Sequence, residues 1–245
     1  PVDITGSVRI LRFAKSEITL AISSGDYAFQ VKGNASLSLE GVRFDLAKTK
    51  TNRFISTDNS GSSGHSNISI QLCSFSNYEG TFFYGSKSTA SDSIIIRNSQ
   101  FRMNKGKLFD FTNQTDKKGY YNVEKLVMEG NTFEWQQGQL LGMLRGGNDE
   151  STMGPLLVFR NNMVTNCNNP AGSIIWLNGT QRSFIEQNRF STCNADHTLL
   201  QYEDAVRAVH TYRNNNILNC GQVIKNKFVE EKDNNNKTTV QTTRP

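Results

Sequence analysis

No stretch of this sequence is apolar for long enough to span a bilayer, and no basic segment leads into an apolar one as a secretory signal would. Cysteine is scarce. The four present form no Cys-x-x-Cys and no Cys/His cluster, which argues against a bound metal, and a stacked fold of this length needs no disulfides. Among 245 residues only 36% are hydrophobic, low for a globule of this size, and no segment sustains a helical period. A nucleophile elbow and a recognised nucleic-acid reading motif are both missing. Three histidines remain as candidate bases: His65 in the Gly/Ser-rich stretch 60–66 reads as solvated, His197 precedes the apolar pair Leu199 and Leu200, and His210 falls in an inward column as a packed residue.

What the chain does have is a repeat. Seven alternating apolar stretches end in a large hydrophobic anchor: Phe44, Phe75, Phe101, Phe133, Met163, Phe190 and Ile217, spaced by 31, 26, 32, 30, 27 and 27 residues. A period of this size marks a solenoid, whose units bury their apolar faces only against neighbours. Five residues before the anchors stand Leu39, Ile70, Ile96, Met128, Val158, Ile185 and Tyr212, and seven before stand Leu37, Ile68, Ile94, Leu126, Leu156, Ser183 and His210. That alternation is the period of a strand. Between these columns Glu40, Gln71, Arg97, Glu129, Phe159, Glu186 and Arg213 point outward, and opposite charges there pair from coil to coil. After most anchors a glycine precedes a second apolar run: Gly80, Gly106, Gly138, Gly172 and Gly221. At least two short strands per repeat, joined by a tight bend, can only stack in parallel. The fold class is all-β, a right-handed parallel β-helix of about seven to eight coils.

Two further columns fit this stack. Asn131, Asn161, Asn188 and Asn215 lie two residues before their anchors as an asparagine ladder, with Cys73 in an equivalent place. Cys167, Cys193 and Cys220 follow theirs as a column of small buried residues. Residues 1–228 are expected to form one β-helix domain, with a polar end segment over 229–245. Pro1 at the start, in place of Met, suggests an excised C-terminal domain. The net charge of +5 and a pI near 9.0 favour a polyanionic partner, more readily polysaccharide than nucleic acid for a fold that holds extended chains along one side. Five Asn-x-Ser/Thr sequons are the chance product of an Asn-rich sequence.

The most distinctive stretch is the loop from Leu144 to Pro155. It holds Arg145, Gly146, Gly147, Asn148, Asp149, Glu150 and Ser151, then Gly154 and Pro155; later come Tyr202, Glu203, Asp204, Ala205, Val206 and Arg207. Across roughly residues 120–228 these motifs resemble the C-terminal β-helical domain of alginate lyases of polysaccharide lyase family six, the chondroitinase-B-like family; the N-terminal half is similar only in coil pattern. The resemblance implies a bacterial, secreted or periplasmic parent enzyme that cleaves uronate polymers by β-elimination. In that chemistry Ca²⁺ neutralises the substrate carboxylate, a Lys removes the C5 proton and an Arg assists the leaving oxygen. No such set converges here, so no catalytic residue and no cofactor is assigned to this segment. The resemblance implies that the machinery lies on an upstream domain, with Ca²⁺ in the parent enzyme.

The expected function is therefore that of an accessory domain of a polysaccharide lyase. A carbohydrate-binding β-helix and a structural or adhesive one are the alternatives. Expected partners are an anionic polysaccharide, the upstream catalytic domain and a second copy in a homodimer, with no nucleic acid and no membrane span. The substrate or docking residues are expected to be Arg145, Asn148, Asp149, Glu150, Ser151, Trp176, Tyr202 and Arg207. Of these, Trp176, followed by Asn178 and Gly179, reads either as a flat rim for a pyranose ring or as a partly buried Trp beside a turn, the more ordinary of the two.

Overall fold

A computed structural model describes residues 1–11, 18–58, 65–115, 119–146, 154–203 and 208–237. Each coil runs through three strands in a fixed order, one for each of three parallel sheets. In one coil, Ala90–Arg97 belongs to sheet B, Gln100–Arg102 to sheet C and Phe109–Phe111 to sheet A. Each sheet is nine strands deep. The seven anchored coils account for the middle of the stack, and an end coil without the anchor pattern extends it on either side: Ile18 pairs with Phe44, and Asn236 with Ile217. The strand ladder continues past residue 228 through Val229–Lys232 and Asn235–Lys237.

Each coil has three strands, one more than the expected minimum of two, because the anchors do not end the strand that precedes them. A residue in left-handed backbone conformation bends the chain first. Gly41, Leu72, Asn98, Gly130, Asn161, Gln187 and Asn214 occupy this bend, with φ between 49° and 67°. A short sheet C strand then carries the anchor, and a second left-handed bend at Asn77, Met103, Trp135, Asn166, Thr192 and Asn219 turns the chain towards sheet A. For an L-residue with a side chain this conformation costs about 1–2 kcal/mol, which the stack must offset at each bend.

It does so with a dry aromatic core. Phe44, Phe75, Phe101 and Phe133 stack face to face, their centroids 5.5, 5.2 and 5.3 Å apart. Burying each ring contributes about 1.5–3 kcal/mol. The anchor of the next coil is Val164, which pairs with Phe133 and Phe190, and not the expected Met163, which is 43% exposed. The frame moves by one there because Asn161 takes the bend and Asn162 the ladder position. Leu157 and Phe159 thus point inward in place of Leu156 and Val158, and Arg160 pairs with Glu129 and Glu186 in the outward column that had been assigned to Phe159. Phe159 then fills the space that the short Val164 leaves, its ring 6.1 Å from Phe133 and 6.3 Å from Phe190.

Along the B–C bend the asparagine ladder is continuous. The backbone N–H and Nδ2 of Asn131 both donate to Oδ1 of Asn162, at 2.9 and 3.1 Å, and Asn162 does the same to Asn188. Asn188 repeats this to Asn215, and Asn215 to Asn234. Upstream, Ser99 and Cys73 hold the same column with single bonds. Cys167, Cys193 and Cys220 are free thiols that stack as expected, with the Cys193 N–H donating to the Cys220 sulfur at 3.4 Å. The bond from Cys167 is the main influence pushing the Cys193 thiol up to about 12, so it stays protonated and unreactive.

Candidate functional site

The outer face of sheet A is where exposed chemistry gathers. Register fixes one outward column as Tyr84, Asp110, Gly142, Trp176, Gln201 and Ile224. A second runs through Leu144, Asn178 and Glu203. Trp176 is half-buried, standing over a position that is glycine in the coil before it. A Cβ on Gly142 would lie 2.6 Å from Gln139 Oε1 and 2.7 Å from Thr112 Cγ2. The missing side chain lets those two groups lie low, and an open groove of about 490 Å³ results, lined by Lys107, Thr112, Gln139, Asn169, Trp176 and Gln201 among others.

The corner leading into this face is flattened for a related reason. Gly138 has φ +118°, and a Cβ there would lie 2.3 Å from the carbonyl oxygen of Gly106 in the coil before; Gly106 in turn sits against Gly80. Gly80, Gly106 and Gly138, three of the glycines expected only as bend residues, thus form a stack in which successive backbones touch.

Charge in the groove is already arranged. Lys107 Nζ lies 2.9 Å from Asp110 Oδ2, while Asp110 Oδ1 accepts from the Thr112 N–H and hydroxyl. Glu203 accepts from Asn178 at 2.9 Å through one oxygen and from Gln201 at 2.5 Å through the other. Further along the face Arg53 lies 3.8 Å over the Tyr84 ring. This surface offers a flat indole, amides that donate and accept, and an exposed ammonium. Such a set suits a hydroxylated ring carrying an acid group.

Of the residues expected from sequence to form the site, Trp176 is on this face. Arg145 is not: it is 3% exposed, its backbone N–H donates to the Asn178 carbonyl, and Gly179 packs against it. Gly146 pairs with Tyr120 and Gly119 by backbone bonds, so the start of the loop is fastened to the coil beneath. Tyr202 is a correction. It pairs with Leu177 in an inward column, its ring 5.0 Å from His210, and burial pushes its hydroxyl pKa well up, so no ligand on the surface meets it. Asn148, Asp149, Glu150, Ser151 and Arg207 lie outside the described residues. Lys107, Gln139 and Gln201 were missed, since polar residues of ordinary type stand out only once register puts them beside Trp176.

The histidines behave as read. His65 and His197 are exposed, while His210 is buried against Ser183 Oγ at 2.8 Å, and desolvation lowers its pKa to about 4.

No curated protein matches the chain in sequence. Among solved structures, the PL6 family alginate lyase AlyGC superimposes with a TM-score of 0.77 at 23% identity, covering 96% of this chain and 34% of that one. A point mutant of the same enzyme gives 0.77 and 23%, covering 98% and 33%. The chain thus spans about a third of the length of these structures. At this identity the likeness is one of fold: a polysaccharide-lyase-like β-helix, shared along both halves of the chain and not only over 120–228. No helix among the described residues is long and apolar enough to cross a membrane. A family model described as a domain of unknown function (DUF4957) matches residues 1–133, more than half of the sequence, and the chain belongs to that family.

Proposed function

We propose that this β-helix is the glycan-holding accessory domain of a polysaccharide lyase acting on uronate polymers, and that the sheet A groove is its contact surface. One observation carries the reading: an indole, an ammonium and two amides converge on an open groove floored by glycine. The indole face of Trp176 takes the C–H face of a pyranose ring. Lys107 is exposed at its pair with the buried Asp110, and the ammonium N–H donors that Asp110 does not take serve the sugar carboxylate. Gln139 and Gln201 bond the ring hydroxyls.

The groove does not fit calcium. Asp110 and Glu203, the carboxylates nearest to hand, have both oxygens engaged by protein donors, and no cluster of three acidic, His or Cys groups forms among the described residues. Elimination itself is therefore assigned to another part of the parent enzyme, and no step is placed on this chain. A polymeric substrate of this kind puts the parent outside the cytoplasm.

Calorimetry with alginate oligomers tests the reading. Binding in the micromolar to millimolar range is expected, lost in Trp176→Ala, with no rise in the ultraviolet absorbance of unsaturated uronate. Absence of binding to any uronate oligomer sinks the glycan-holding role, and turnover by the isolated chain sinks the accessory one.

A further inference from the structure

A second exposed indole lies away from the Trp176 groove. Trp135 occupies the bend between sheets C and A with φ +57°, 51% exposed, and Met103 occupies the same bend one coil earlier with φ +55°, 54% exposed. Other coils place Asn77, Asn166, Thr192 and Asn219 at this bend, all with φ between 50° and 63°. Asparagine suits that conformation and a bulky side chain does not. Neither Trp135 nor Met103 reaches the core, so the fold has no use for them there.

Their surroundings have a chemistry. Two residues further on, Lys105 and Gln137 stack as a parallel bridge, and these four side chains line a hollow of about 320 Å³. Lys105 lies 3.1 Å from Glu79, which also pairs with Lys50 at 3.5 Å, so two ammonium groups share one carboxylate and positive charge is left over. Glu79 and Lys50 line the next hollow, of about 380 Å³, and Gly106 belongs both to that hollow and to the Trp176 groove. From Trp135 to Trp176 the surface is continuous, running over the corner that the glycine stack keeps low. Trp135 and Gly142, the residue paired with Trp176, are seven positions apart on one coil, and the paired strands lie about 4.8 Å apart, which places the two tryptophan Cα atoms within about 30 Å.

We propose that this corner is a second contact for the same anionic polysaccharide. Trp135 and Met103 take the face of a pyranose ring and Lys105 its carboxylate, so a chain of several sugars is held at both tryptophans while a short one is held only at Trp176. The inference rests on the glycan-holding reading of the groove.

Trp135→Asn is the decisive variant, because it installs the residue that other coils carry at this bend and keeps the fold intact, as circular dichroism would verify. Calorimetry compares it with the unchanged chain, using an alginate disaccharide and an octasaccharide. About a tenfold loss of affinity for the octasaccharide is expected, with disaccharide binding unchanged and the melting temperature not lowered. In Trp176→Phe, where Trp135 is the sole indole, the octasaccharide should still change its fluorescence. Unchanged octasaccharide affinity in Trp135→Asn, or equal weakening at both lengths, overturns the second contact and leaves the groove standing. If the unchanged chain binds neither oligomer, the glycan-holding reading fails and this inference with it.

Discussion

Every polar atom of the Asn162 amide is used within the stack: its oxygen accepts from two groups of Asn131, and its nitrogen donates to the Met128 carbonyl and to Asn188. Asn162→Leu keeps the volume and strands the buried N–H of Asn131, so a loss of about 2–3 kcal/mol in urea unfolding is expected. Its neighbour Asn161 is exposed and merely bends the chain, and Asn161→Gly should stay within about 0.5 kcal/mol of the parent. Two adjacent asparagines with opposite fates explain why the register of this coil was not legible in sequence. Either one fits the spacing, and only the inward demand of Leu157 and Phe159 decides. His210 carries a pH signature. It faces Ser183, Tyr202 and the Tyr212 side of the core, and its pKa of about 4 lies below the unfolded value near 6.5. The unfolded chain therefore binds the proton first, and stability present above about pH 6.5 is lost progressively down to about pH 4, on the order of 3 kcal/mol in all. In His210→Gln the fall in melting temperature across that window should be smaller; an equal fall would assign the acid sensitivity elsewhere.

Among elements, sheet B was the most readable, since its inward and outward columns follow a strict period of two. Its outward charges pair as expected, with Arg97 3.2 Å from Glu129 and Arg213 3.0 Å from Glu186. Sheet C was hidden because its three-residue strands follow bends made by residues as unlike as Leu72, Asn98 and Gln187, none of which announces a left-handed turn as glycine does. Glycine's second use was also hidden. Ahead of each sheet A run it looks like turn chemistry, yet at Gly138 it permits backbone contact between coils. Gly138→Ala should lower stability by more than about 1 kcal/mol, through both the contact with Gly106 and the positive φ. In the same column Gly172 has only the Asn169 amide at 3.8 Å, so Gly172→Ala should melt close to the parent. Equal melting of the two variants would mean that the stack yields and the close approach is of no consequence.

At the scale of the molecule, the candidate groove was legible in one residue only. Trp176 announces itself by type, whereas Lys107, Thr112, Gln139 and Gln201 come from three different coils and meet only because the sheets stack in register. The same stacking gives the asparagine ladder a property beyond strength. Each amide oxygen accepts from the coil before it, and each amide nitrogen donates to the amide of the coil after and to a carbonyl of the coil before, so every rung repeats the same two faces. Nothing in that column distinguishes Asn162 from Asn188 as a neighbour for Asn131. Length is thus a free variable for this architecture: whole coils can be gained or lost at the ladder without new bonding chemistry, and an ancestor could lengthen its outer face by copying what it already had.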